Sequence, residues 1–353
     1  MSAAIPAVVL GASGYVGGEL LRLIAAHPNF ELAAAVSDSR AGSQIGDTFG
    51  HLSPAYAGVG FVGRGDWIDS VASGGALALF SAAPHGASAA VIANALAAAS
   101  SKGIDMLVVD SSADFRYASQ DDYEAIYNTP HGAPQLLDQF SCAVPEHAKS
   151  IDTAHVGHPG CFATATLLAA VPLIDSGLTD AEVFVSGVTG STGSGRSPQP
   201  GTHHPERNSN MYAYKPLAHR HAPEMAGLTS AATGRETKVH FVPHSGPFAR
   251  GIHITLQARA RKTVSEAALR EAFTAAYEGS PFVEIVSATP RLKNVVASNM
   301  CQISVASDGD SVVVMSVIDN LVKGAAGGAM QWMNRLWKLP ETTGLATPAP
   351  GWT

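Results

Sequence analysis

Short apolar runs alternate with helical-period stretches through the first part of the chain. Residues 7–10, 31–36, 76–80 and 106–110 are strand-like, whereas 16–26 and 87–99 carry apolar positions at helical spacing. That alternation is the βαβ rhythm of a parallel sheet. Beyond about residue 155 the rhythm changes: strand candidates at 182–187, 238–242, 251–258, 301–307 and 311–318 follow one another with fewer helices between them. The last two flank Asp308-Gly309-Asp310 and predict an antiparallel hairpin. Residues 190–210, rich in Gly, Ser, Pro and His, predict a long loop, and 321–337 a closing helix before a proline-containing tail. The pattern predicts an α/β protein: a Rossmann-type dinucleotide-binding domain from 1–157 with 321–353, and an α+β catalytic domain with a mixed or antiparallel sheet from 158–320.

Composition narrows the function classes. With 46% hydrophobic and 14% charged residues and 35 glycines, the chain carries enough apolar material to fold. A net charge of −7 with no lysine/arginine run argues against nucleic acid as a partner. No basic n-region opens the chain and no apolar run reaches membrane-spanning length, so a cytoplasmic protein without membrane association is expected. Three cysteines, Cys142, Cys161 and Cys301, form no CxxC or zinc-finger spacing and are expected to be free thiols.

Chemistry concentrates in three places. Gly11-Ala-Ser13-Gly14-Tyr15-Val16-Gly17 follows an apolar strand and opens a helix, placing glycines where backbone must turn tightly and approach a pyrophosphate at a helix N-terminus. At the end of the next strand stands Ser37-Asp38-Ser39-Arg40, where an acidic residue favours a ribose diol and an arginine a 2′-phosphate. Ser39 with Arg40 favours NADP, while Asp38 leaves NAD open. His158-Pro159-Gly160-Cys161 precedes a helical run, which predicts a thiol at a helix N-terminus, electrostatically favoured as thiolate. The run 214–224 then brings His219, Arg220, His221 and Glu224 together, supplying an imidazole for proton transfer and cations for an anionic substrate. The two histidines are not separable by sequence. Zinc binding by these and His203-His204 competes, but no third ligand stands at a recognisable spacing, so no metal is assigned.

Six blocks in order carry a resemblance: Gly11 to Gly17, Ala83-Pro84-His85-Gly86, Ser112-Ala-Asp-Phe-Arg116, Pro159-Gly-Cys161, His219-Arg-His221 and Ile318-Asp-Asn320-Leu-Val-Lys323-Gly324. The chain resembles the N-acetyl-gamma-glutamyl-phosphate reductases of arginine biosynthesis, relatives of aspartate-semialdehyde dehydrogenases. The resemblance implies NADPH-dependent reduction of an acyl phosphate, with Cys161 as nucleophile and His219 the expected acid/base. It further implies Pro84, Asn320 and Lys323 near the cofactor, and a dimer or tetramer of the chain. Arg116 is the candidate phosphate contact, and the helix N-terminus after Cys161 and the Ser186-Gly187 turn are candidate sources of oxyanion donors. The stretches 186–196 and 202–207, with Tyr214-Lys215-Pro216, look more like the lysine-pathway branch, whose substrate rides on a small acidic carrier protein. A phosphorylating aldehyde dehydrogenase and a non-catalytic dinucleotide sensor are the remaining readings.

Overall fold

The computed structural model describes residues 4–65, 67–71 and 74–352, and the chain divides into two compact units. Unit 1 holds the chain up to Ala143, Ser150–His158 and Ala325–Ala346. Unit 2 holds Val144–Lys149, Pro159–Gly324 and the chain from Thr347 on. Relative to the expected boundaries, residues 144–149, 158, 321–324 and the tail from 347 change sides.

Unit 1 is built on β1 (Ile5–Leu10), β2 (Phe30–Val36), β3 (Phe61–Val62), β4 (Gly75–Ser81), β5 (Ile104–Asp110), β6 (Phe140–Cys142) and β7 (His155–Gly157), all parallel, in the order β3-β2-β1-β4-β5-β7-β6. The near-continuous apolar runs of β1 and β4 are what a strand covered on both faces requires; Val8, Leu10, Leu77 and Leu79 are buried. Strand order reverses between β1 and β4. At such a switch point the loops leaving the carboxyl ends diverge and leave a crevice for a ligand. Within the motif Ser112 to Arg116, Asp114 is scaffolding. Asp114 is fully buried and accepts from the amides of Gly86 (2.8 Å) and Ala89 (3.0 Å), which caps the helix Ser88–Ser101.

Unit 2 is built on β8 (Thr179–Thr189), β9 (Tyr212–Ala213), β10 (Lys238–Ser245), β11 (Ile252–Ala260), β12 (Val283–Ile285), β13 (Cys301–Ser307) and β14 (Ser311–Ile318), in the order β12-β13-β14-β11-β8-β10-β9. The sheet is mixed: β8 runs parallel to β10 and antiparallel to β11. The expected hairpin is β13-β14, with Gly309 at φ +105° in its turn. Residues 190–210 are not a bare loop but carry short helical turns at Ser191–Ser194, Pro200–Thr202 and His204–Arg207. The helix Cys161–Asp175 is apolar around its whole circumference and buried from Phe162 to Ile174, as a helix packed on every side must be. It contacts β8, β11, β14 and the helices His221–Thr233 and Glu266–Ala276. Each buried Leu or Ile along it contributes roughly 1.5–3 kcal/mol. β8 alternates, with Val183, Val185 and Gly187 buried and Glu182, Phe184 and Ser186 exposed.

One buried ion pair anchors the short segment Val144–Lys149 in unit 2: Lys323 Nζ lies 2.5 Å from Glu146 Oε1, with the side chains 0% and 1% exposed. Beside it, His147 Nε2 is 3.0 Å from the Tyr277 hydroxyl, which donates to the Leu168 carbonyl. That pairing makes the imidazole the donor, and burial holds its pKa down to about 4. Removing one partner of a buried pair strands the other charge, at a cost of about 3–5 kcal/mol. Glu146→Ala is therefore expected to lose that much stability in urea denaturation, and the double variant Glu146→Gln/Lys323→Met to recover most of it. A double variant as unstable as the single one contradicts the assignment.

Candidate active site

In unit 1 the glycine-rich turn leaves β1 with two of its glycines required by close backbone and a third that leaves space. Gly11 has φ +68°, and a Cβ there would lie 2.4 Å from the Ala82 carbonyl oxygen; at Gly17 it would lie 2.6 Å from Ala12 Cα. Those two are demanded by the protein's own backbone. Gly14 differs, since a Cβ there would meet only the Gly11 oxygen at an ordinary 3.5 Å. Its bareness leaves open room at the mouth of the helix Tyr15–Ala25, whose first intrahelical bond runs from the Gly18 amide to the Gly14 carbonyl (2.8 Å). The amides of Tyr15, Val16 and Gly17 precede that bond, no side chain caps the end, and no acidic residue stands in its first turn. This is a cradle that fits a dinucleotide pyrophosphate.

Around it, Ser13 and Ser37 share a hydroxyl contact of 2.8 Å, and Ser37 and Ser39 one of 3.3 Å. Arg40 is exposed. Pro84 is exposed in the loop after β4, whose register beside β1 (Leu10 opposite Ser81) brings it to the edge of the glycine-rich turn. Arg116 is 7% exposed, with Nε on the His158 carbonyl and Nη2 on the Ser111 carbonyl, both at 3.1 Å. Its guanidinium ties two loops together.

In unit 2, Cys161 is the first residue of the helix Cys161–Asp175. Gly160 precedes it as the cap, and its amide donates to Glu224 Oε1 at 2.6 Å. Glu224 is 1% exposed, so it acts as a buried clamp on the backbone beside the thiol and not as the substrate contact expected. From the other side the backbone of Gly324 presses on the cysteine; a Cβ there would lie 2.8 Å from Cys161 Cβ. Cys161 is half-buried, packed against the edge of the core with Tyr214 and Ala222. Cys301, by contrast, is fully buried against Ser316 Oγ (3.5 Å), and burial pushes its thiol up to about 12. Only Cys161 combines access with a helix N-terminus.

The imidazoles stand in the same cluster. His219 is ringed edge-on by Phe162 (5.9 Å), Tyr214 (5.7 Å), Phe241 (5.5 Å) and His221 (4.8 Å). Its Nδ1 accepts from the His221 amide (3.2 Å), so a neutral ring carries its proton on Nε2. Burial, then the cations of Arg220 and Lys215, lower its pKa to about 4. His221 is 7% exposed and meets the ring of Phe162 at 6.4 Å. Arg220 is exposed at the start of the helix His221–Thr233. Lys215 and Leu217 both hold positive φ (44° and 58°), backbone strain of the kind that collects at functional turns.

Four of the expected contacts are engaged by the protein's own backbone and side chains. Ser186 and Gly187 do not form a turn: they lie in mid-strand in β8, between β10 and β11, where the ladders on both sides engage the backbone. Gly187 is glycine because the Phe162 ring packs on it, 2.6 Å from where a Cβ would sit. Asn320 is 2% exposed, with Oδ1 accepting from the Gly251 amide (2.7 Å) and Nδ2 donating to Thr192 Oγ1 (3.0 Å). Lys323 is buried on Glu146. Asn320 and Lys323 thus brace the π-helical turn Val322–Ala326. Tyr214, Lys215 and Gly324 carry no expected site role from the sequence; their places in the stretch Tyr214-Lys215-Pro216 and the block 318–324 were the only signal.

A dinucleotide cradle at a Rossmann switch point and an accessible helix-terminal cysteine among imidazoles define a nicotinamide-dependent oxidoreductase of the aldehyde/oxo class. Residues 6–150 match the model described as semialdehyde dehydrogenase, NAD binding domain, and 161–320 that described as semialdehyde dehydrogenase, dimerisation domain. The chain is 40% identical to the N-acetyl-gamma-glutamyl-phosphate reductase of Azotobacter vinelandii (97% of this chain, 98% of that one) and 38% identical to that of Pseudomonas aeruginosa over the same shares. In fold it is similar to aspartate semialdehyde dehydrogenase II of Vibrio cholerae (TM-score 0.68, 15% identity, 96% and 99% covered). Aspartate semialdehyde dehydrogenase with NADP from Candida albicans is also similar (0.63, 16%, 95% and 99%). The chain belongs to the N-acetyl-gamma-glutamyl-phosphate reductases within the semialdehyde dehydrogenase family. Among the described residues no helix is long and apolar enough to cross a membrane.

The His219 environment makes a direct prediction. Its folded-state pKa lies below the unfolded 6.5, so its contribution to stability is full above pH 6.5 and is lost as pH falls toward about 4. Proton NMR of the His219 ring is expected to give a midpoint well under 6.5, and Arg220→Ala to raise it. A midpoint of 6.5 that ignores the variant contradicts this environment.

Proposed function

We propose that the protein reduces N-acetyl-gamma-glutamyl phosphate to N-acetyl-glutamate 5-semialdehyde and phosphate, with NADPH as reductant and Cys161 as covalent nucleophile. The observation that carries the reading is Cys161 itself, half-exposed at the N-terminus of a buried helix and grouped with Tyr214, His219 and His221. The helix dipole favours an anionic sulfur there. The thiolate attacks the γ-acyl carbonyl, the carbon–oxygen bond to phosphate breaks, and a thioester remains on Cys161. When bound, the nicotinamide supplies the hydride that reduces this thioester. His219, neutral at physiological pH, offers its Nε2 proton to the tetrahedral oxyanion as a hydrogen-bond donor. The amides of Phe162 and Ala163 precede the first intrahelical bond (Thr164 amide to Gly160 carbonyl, 2.7 Å) and, of the two candidate sources, are the ones that serve as oxyanion donors. Collapse of the thiohemiacetal returns the sulfur and frees the aldehyde.

Arg220 and Lys215 are the cations that meet the phosphate. The uncovered face of β8 and β10, with Phe184 and Leu217 54% and 67% exposed, fits a second copy of the chain; it lies within the stretch matching the dimerisation domain. The working enzyme is a cytoplasmic homo-oligomer in this reading.

NADPH oxidation measured in parallel with N-acetyl-glutamyl phosphate and with carrier-bound α-aminoadipyl phosphate is expected to proceed with the first alone. Turnover restricted to the carrier-bound substrate replaces this reading with the lysine branch. Cys161→Ser is expected to abolish turnover while NADPH binding, followed by fluorescence titration, stays at the wild-type level. Turnover surviving that substitution excludes the thioester.

A further inference from the structure

The acidic residue at the end of β2 poses a charge problem that the structure answers. Asp38 follows β2 by two residues, where a free carboxylate would hydrogen-bond a ribose diol and repel a 2′-phosphate. β3 pairs parallel to β2, with Ala35 beside Phe61 and Val36 beside Val62. Continued past the strand ends by the bond from the Ser37 amide to the Val62 carbonyl (2.9 Å), this pairing brings residue 38 beside residue 64. Both carboxylate oxygens of Asp38 are then engaged by one residue: Oδ1 accepts from the Arg64 backbone amide at 2.9 Å, and Oδ2 is ion-paired with Arg64 Nε. Asp38 and Arg64 cancel, and Arg40, exposed and outside any ion pair among the described residues, remains as a net positive charge beside the hydroxyls of Ser37 and Ser39.

We propose that Arg64 is the residue that sets cofactor choice: by occupying Asp38 it silences the carboxylate that would otherwise reject a 2′-phosphate, and so turns an NAD-type position into an NADP site. The proposal rests on the reading above that NADPH is the reductant. Arg64 acts here through Asp38, as a positioning residue, and the phosphate itself is met by Arg40 and the serine hydroxyls. A surface pair of this kind is worth little to stability, so replacing Arg64 leaves the fold in place. Its effect lies in what the adjacent phosphate encounters. A bare carboxylate about 5 Å from a phosphate near the surface is unfavourable by a factor of roughly tenfold or more.

The test is calorimetric binding of NADPH, NADH and 2′,5′-ADP to the wild type, Arg64→Ala and the double variant Asp38→Asn/Arg64→Ala. In Arg64→Ala the affinities for NADPH and 2′,5′-ADP are expected to fall by roughly tenfold or more, with NADH unchanged or tighter. The double variant is expected to regain most of the NADPH affinity, because no carboxylate is left to mask. An unchanged NADPH-to-NADH ratio in Arg64→Ala overturns the inference and leaves the reductase reading intact. So does a double variant that recovers nothing, which makes Arg64 a direct phosphate contact. A wild type that prefers NADH removes the cofactor reading and the inference together.

Discussion

The catalytic half of the molecule depends on one constraint: the reactive sulfur belongs to the first residue of the most deeply buried helix. The helix Cys161–Asp175 has no exposed face along which to slide or rotate, because Phe162 to Ile174 are all packed. Its N-terminus is therefore fixed by the core. Glu224 then holds the Gly160 amide from the neighbouring helix His221–Thr233, and that second helix also carries the His219 and His221 turn at its start. A single helix-to-helix contact thus sets both the nucleophile and the imidazoles. Moving either helix would break the Glu224 bond and unpack Phe162, which touches the rings of His219, His221 and Phe241.

The dinucleotide half rests on register instead of packing. Parallel strands bring loops that are far apart in sequence to one sheet edge. Leu10 opposite Ser81 aligns the glycine-rich turn with the Pro84 loop, and Val36 opposite Val62 aligns Asp38 with Arg64. Strand ladders are set by backbone bonds and by buried alternate side chains, so these alignments persist whatever the loop side chains are. Loop chemistry then varies on a constant frame, as the charge cancellation at Asp38 illustrates.

What was legible in the sequence was what is local. The glycine-rich turn, the Pro-Gly-Cys helix start and the β13-β14 hairpin each express their conformation within a few residues, and each appears at its expected place. Polar side chains were harder to place. Arg116, Glu224, Asn320 and Lys323 read as ligand contacts in the sequence, where their own hydrogen bonds are not visible. Here their bonds go to backbone carbonyls, a backbone amide or a buried carboxylate. Ser186 and Gly187 misled for a different reason: Gly in an alternating apolar stretch signals either a turn or a close approach, and Phe162, whose ring makes it a close approach, is 25 residues earlier (187 − 162). Gly324, pressing on Cys161 across an even longer span, was marked only by its place in a motif block.

The buried Glu146–Lys323 pair belongs to the same logic. A salt bridge this deep gains little net stability, because desolvating two charges offsets their attraction. Its value lies in what it excludes. Lys323 immediately precedes the glycine that contacts Cys161, and the turn it sits in is a π-helix, a wider and less favourable winding than the α-helix that follows. Rewinding that turn to α would swing the ammonium away from Glu146 and leave two uncompensated charges in the core. The ion pair therefore makes the alternative winding costly, and through Gly324 it keeps the backbone against the nucleophile in one arrangement.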